Sequence, residues 1–171
     1  MTGKLVLRLR LALRGLVPVT ATFALVLIAV VPLGIPYFAP VTPLFTVMAV
    51  YYWTIYRPDL LPSYAVFAAG LMQDVLSGEP VGLMALVLLL VHGVCLSQRR
   101  VLAGKSFLVG WFGFSLVAAG AAFVSWLLVS IYYTQLVDPL PGAVQLGASV
   151  ALYPVLAHLF GLGEQRMLRP L

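Results

Sequence analysis

The stretch Phe67-Ala-Ala-Gly-Leu-Met-Gln-Asp-Val-Leu-Ser-Gly-Glu-Pro-Val-Gly-Leu-Met-Ala-Leu86 decides how this chain is read. It is apolar at both ends, yet Gln73, Asp74, Ser77 and Glu79 crowd its centre, with Gly70, Gly78 and Gly82 among them. Polar side chains are costly beside lipid, so the cluster needs a cause. The pattern predicts two membrane helices joined by a tight polar turn at Ser77–Pro80. Asp74 then falls in the last turn of the first helix, near the membrane surface, where the helix dipole opposes a carboxylate. Two roles are open to it. It closes the Ser77–Gly78 turn by hydrogen bonds, or it is a polar anchor for a partner or ligand at the outer surface.

Working outward, the 171 residues are 63% hydrophobic and 9% charged, with a mean hydropathy of +1.08. Soluble domains run at roughly 45–50% apolar and about 25% charged, so the soluble globular class is excluded. The reading is an all-α polytopic membrane protein with a single integral membrane domain over residues 1–171, because no polar segment is long enough to fold separately. Cys95 is the sole cysteine and rules out an intrachain disulfide. The net charge of +5 sits in short loops between apolar runs. It reads as a topology signal, not as a nucleic-acid site.

Six transmembrane helices are expected, at about 16–33, 43–56, 63–76, 81–97, 107–133 and 143–162. Ahead of them, Lys4, Arg8, Arg10 and Arg14 alternate with Leu and Val, giving either an amphipathic surface helix over 4–14 or a simple cytoplasmic retention signal. The apolar run that follows is too long for a signal h-region, so it reads as uncleaved. Pro36, Pro40 and Pro43 break the chain before helix 2, which covers only about 21 Å against a core of about 30 Å. Neighbours must shield that helix, or the Pro40–Thr42 connection dips into the membrane. Tyr51, Tyr52, Trp53 and Tyr56 at its end suggest an aromatic belt. Arg57-Pro-Asp-Leu-Leu-Pro62 is a strong breaker, and Gln98 to Lys105 reads as a basic loop. With the N-terminus cytoplasmic, six crossings place all ten Lys and Arg residues on the cytoplasmic side. Asp74, Glu79 and Asp138 fall on the other. The positive-inside rule therefore favours both termini cytoplasmic.

Catalytic chemistry needs convergent polar groups, and few are on offer. His92 and His158 are each alone on apolar helices, so a buried or interfacial His hydrogen-bonded to backbone is expected of them, not a metal site. No nucleophile elbow, P-loop or dinucleotide fingerprint occurs. No metal, cofactor or enzymatic activity is expected. Gly78 and Gly82, Gly70 and Asp74, and Ala118-Ala-Gly-Ala-Ala122 mark smooth helix surfaces, suited to internal packing or to an intermolecular contact.

The run Pro43-Leu-Phe, Tyr52-Trp53, Arg57-Pro-Asp59-Leu, Ala69-Gly-Leu-Met-Gln-Asp74, Ser77-Gly-Glu-Pro-Val-Gly82-Leu-Met-Ala-Leu86 resembles the rod shape-determining protein MreD family. That family shows a proline-led helix ending in Tyr-Trp, a break, then Gly-x-x-x-Asp, Ser-Gly and Gly-x-x-Ala-Leu. The resemblance covers about 45 residues, and beyond them length and hydropathy agree. It implies a bacterial inner-membrane component of the cell-elongation machinery for peptidoglycan. Its implied partners are MreC, and with it the MreB filament, RodA and a class B penicillin-binding transpeptidase. The family carries no established catalytic residues. Its fold is similar to the six-helix S-components of energy-coupling-factor transporters, which keeps a small-molecule or lipid-binding subunit as the rival reading. Candidate partner or packing positions are Arg57, Asp59, Gly70, Gln73, Asp74, Ser77, Gly78 and Gly82.

Overall fold

The computed structural model describes residues 18–29, 44–102 and 104–168, with side chains described as far as residue 162. The basic 4–14 segment, the 30–33 end of the first expected helix, the Pro36–Pro43 connection and Arg169 lie outside the described residues. So do the side chains of Glu164 and Arg166.

A helix that is apolar all round must be surrounded, and that is how α2 (Phe45–Tyr56) sits: every residue from Thr46 to Ile55 is buried. The chain wraps it with α3 (Ser63–Ser77), α4 (Leu83–Leu102), α5 (Phe107–Tyr132) and α6 (Leu140–Leu168), preceded by α1 (Pro18–Ala29). α2 packs against α3, α4, α5 and α6, while α3 lies along α4, α4 along α5, and α5 along α6. No strand occurs among the described residues. Of the two explanations open for a helix too short to span, shielding by neighbours holds for the residues described.

This placement corrects the expected aromatic belt. Tyr51, Tyr52 and Trp53 are buried, and only Tyr56 is exposed. They form the centre of the bundle because α2 does. Phe114 of α5 stacks on Tyr153 of α6 with ring centres 4.2 Å apart. Tyr51 meets both edge-on, at 5.4 and 5.7 Å. The Tyr51 hydroxyl donates to the Gly110 carbonyl at 2.8 Å, so the polar tip of a buried ring is satisfied by helix backbone.

α4, α5 and the Leu140–Leu162 part of α6 are long and apolar enough to cross a membrane; α1, α2 and α3 are shorter. Two boundaries differ from expectation. α4 continues through Arg99 and Arg100 to Leu102, so the expected basic loop begins as helix; cations in a last turn favour the helix dipole. α6 starts early, at Leu140, whose N–H donates to Asp138 Oδ1 at 3.0 Å. Pro141 falls in its first turn, where a missing donor costs nothing.

Candidate functional site

The polar cluster that singled out residues 67–86 proves to be the joint between α3 and α4. Gly78 ends α3 in the left-handed conformation, φ 69°, and its N–H donates to the Asp74 carbonyl. The Glu79 N–H donates to the same oxygen at 3.2 Å. Left-handed backbone is what glycine supplies at a helix C-terminus. Gly82, with φ +98°, turns the chain into α4.

Asp74 is fully buried. Its carboxylate accepts the N–H of Gly82 at 2.9 Å and of Met84 at 2.8 Å, with Ala85 more distant at 3.4 Å. The first turn of a helix has N–H groups without intrahelical partners, and Gly82 has no side chain with which to cap them. Asp74 does so from the neighbouring helix. The dipole of α3 opposes the charge where it sits, but the positive end of α4 faces it directly. The expectation of an outward anchor is therefore corrected, because no part of the carboxylate reaches the surface. The turn-closing expectation is corrected in the carboxylate's partners, which are Gly82, Met84 and Ala85 and not Ser77–Gly78.

One turn earlier on the same face of α3, Gly70 lets the two helices meet. A Cβ there would fall on the Ala85 Cα and lie 2.7 Å from the Ala85 nitrogen. Gly70 and Asp74 thus act on the same target, the first turn of α4. Of the glycines marked for packing around this turn, Gly70 makes the close approach: a Cβ on Gly82 would meet nothing within 4 Å, and its φ alone calls for glycine.

Gln73 is half-buried beside this joint, and its Oε1 is buried without a hydrogen-bond partner. Ser77, Gly78 and Glu79 are exposed on the turn. The Glu79 carboxyl is raised above its ordinary value by partial burial and then by the Asp74 charge. Arg57 and Asp59 are exposed at the other end of α3, around the 3-10 turn Pro58–Leu60. That helix is 15 residues long, about 22 Å. The eight candidate positions therefore form two groups, and the fold does not bring them together.

The interior holds what the sequence left unmarked. Thr54 Oγ1 and His92 Nδ1 are 2.8 Å apart and buried between α2 and α4. The partner expected for His92 was backbone; it is a side chain on α2. Ser149 of α6 accepts the Leu44 N–H at 2.8 Å, capping the start of α2 from outside its own segment. His158 lines a cavity of about 760 Å³ with Tyr52, Tyr56, Phe107 and Leu162, where α6 passes α2 and α5. Asp74 and Gln73 do not line it. Among the described residues no three His, Cys, Asp or Glu side chains converge.

A family model described as rod shape-determining protein MreD matches residues 10–162. No curated protein and no solved structure matches the chain. The matched span takes in the α3–α4 joint, the buried α2 and the three long apolar helices of a multi-pass inner-membrane protein. On this match the chain belongs to the MreD family of rod shape-determining proteins.

Proposed function

We propose that the protein is a non-catalytic scaffold of the bacterial cell-elongation machinery, binding MreC in the inner membrane. Through MreC it would meet MreB, RodA and a class B penicillin-binding transpeptidase. The observation that carries this reading is the family match across residues 10–162, since determining rod shape is the family's role. The joint at Asp74 supports it: the one buried carboxylate among the described residues is used to cap α4 against α3.

The proposal includes six crossings with both termini cytoplasmic, which rests on the positions of the ten Lys and Arg residues. The likeness to S-components is carried by the family resemblance alone. In single-cysteine labelling after replacing Cys95, Ser77→Cys and Leu136→Cys should react from outside and Lys105→Cys only from inside. External labelling at Lys105→Cys would overturn the orientation.

Affinity purification from membranes in mild detergent tests the scaffold. MreC should co-purify with the folded protein, and its absence would overturn the reading. The cavity beside His158 favours a second reading, a small-molecule or lipid-binding membrane subunit. That reading requires a bound small molecule to survive purification and to be lost in His158→Leu.

A further inference from the structure

Pro154 lies inside α6. Proline has no N–H to give to the carbonyl four residues back, and its ring crowds that same carbonyl. In α6 that carbonyl belongs to Val150. Trp111 of α5 supplies the missing donor: its indole Nε1–H donates to the Val150 oxygen at 2.9 Å. In lipid a freed backbone group has no water to turn to, so a neighbouring helix must provide the partner. The bond that a regular helix makes within itself is here made between two helices.

The two sides of this break are anchored differently. Up to Tyr153 the helix is tied into the bundle. Ser149 is buried and accepts the Leu44 N–H at the start of α2, and the buried Tyr153 ring stacks on Phe114. From Pro154 to Leu162 no residue is buried. Phe160 alone rests its ring on α2 there, with ring centres 5.1 Å from Tyr52 and 5.4 Å from Trp53. The same turns wall the cavity of about 760 Å³, together with Tyr52, Tyr56 and Phe107. Segments with few buried contacts are the first to open.

We propose that α6 is hinged at Pro154 and latched by Trp111, its second half a movable wall of the cavity beside His158. While the indole holds the Val150 carbonyl, the bend at Pro154 is fixed against α5. When that bond opens, the anchored half stays in place and the turns beyond Pro154 swing, changing the width of the cavity. The hinge requires neither MreC nor a bound small molecule, so its test is separate from those of the two functional readings.

Spin labels at Val101→Cys and Leu162→Cys, both exposed, in a Cys95→Ala background test it by pulsed electron paramagnetic resonance in detergent. From Pro154 to Leu162 the axis runs about 12 Å, so a change in bend of about 20° displaces Leu162 by about 4 Å. Trp111→Phe keeps a ring but no donor, and should broaden the distance distribution and shift it by about that much. In Pro154→Ala the restored backbone N–H bonds Val150 itself, and adding Trp111→Phe should then change nothing. A second label pair, Val101→Cys with Val144→Cys on the anchored half, should be unmoved throughout. An unchanged distribution in folded Trp111→Phe would overturn the latch. So would an equal change in both backgrounds, which means that the ring acts by packing alone. Movement of the Val144 pair would overturn the hinge by showing that α6 tilts as one rod. If Trp111→Phe does not fold, Pro154→Ala decides: it should narrow the Leu162 distribution, and an unchanged width would overturn the hinge.

Discussion

α2 and α5 are built from the same kinds of residue and meet opposite surroundings. Both are apolar along their length, yet α2 is enclosed from Thr46 to Ile55, whereas Phe112 and Leu116 of α5 are 75% and 70% exposed. In water that difference would be decided by hydrophobicity. In lipid it is not, because hydrocarbon solvates a Phe as well as a neighbouring helix does, and association rests on packing and hydrogen bonds instead. Length and ring content separate the two. The 12 residues of α2 reach about 18 Å and cannot span alone; the 26 of α5 can. Interactions of defined geometry accordingly gather around α2 on every side, including the Phe114–Tyr153 stack between α5 and α6, while the faces of α5 turned away from α2 leave large apolar side chains exposed.

The sharpest way to break this contrast is at two glycines. Gly70→Leu puts a side chain into the backbone of Ala85, where no flexible atom can yield, so little folded protein should survive extraction in detergent. Gly120→Leu projects into open space and should be recovered at normal yield. Similar recovery of both in size-exclusion chromatography would contradict the assignment of close packing to α3–α4.

Trp53 and Phe112 make the same comparison for aromatic rings. Trp53 is 2% exposed and touches Tyr52 and Phe160 at ring-centre distances of 5.3 and 5.4 Å. Trp53→Ala leaves a cavity, with an expected loss of about 3 kcal/mol in thermal or denaturant unfolding. Phe112→Ala trades ring contacts for lipid contacts and should stay within about 0.5 kcal/mol. A large effect at Phe112 would mean that α5 is covered by another chain in the membrane.

Much of this was legible in the sequence. The helix count and the breaks at Arg57–Pro62 and Ser77–Pro80 follow from Pro, Gly and long apolar runs, which act locally. The partners of Asp74 were not legible. Their spacing of eight to eleven residues crosses a turn, and its geometry depends on two glycines with positive φ. The burial of Tyr51 and Trp53 was hidden for a different reason. Rings at the end of an apolar helix look alike whether they border headgroups or fill a bundle, and only the surrounding helices decide.

Asp74 sharpens the contrast further by separating charge from shape. Asp74→Ala leaves the first-turn N–H groups of α4 without acceptors and should cost about 2 kcal/mol. Asp74→Asn keeps one acceptor oxygen, and Asn caps helices nearly as well as Asp, so the loss should be less than half as large. Unfolding midpoints unchanged in both variants, together with weakened MreC capture, would return the carboxylate to an outward role.

The smallest expected effect is at Glu79, exposed on the same turn. Partial burial and the Asp74 charge raise its carboxyl above the ordinary 4.5, so the folded protein holds that proton more tightly than the unfolded chain. Stability then falls as pH rises from the unfolded value through the raised folded one, and it stays lower at neutral pH. Glu79→Gln removes the ionisation and should raise the unfolding midpoint slightly at pH 7. Below the unfolded value the wild-type carboxyl is protonated in both states, and the two proteins should converge. Asp74→Asn should diminish the benefit, since the repelling charge on the joint is then gone. A Glu79→Gln gain that persists undiminished at low pH would point to packing or turn propensity in place of the carboxylate pair. A gain that vanishes on acidification and shrinks in Asp74→Asn places Glu79 in the field of the charge that holds α4 against α3.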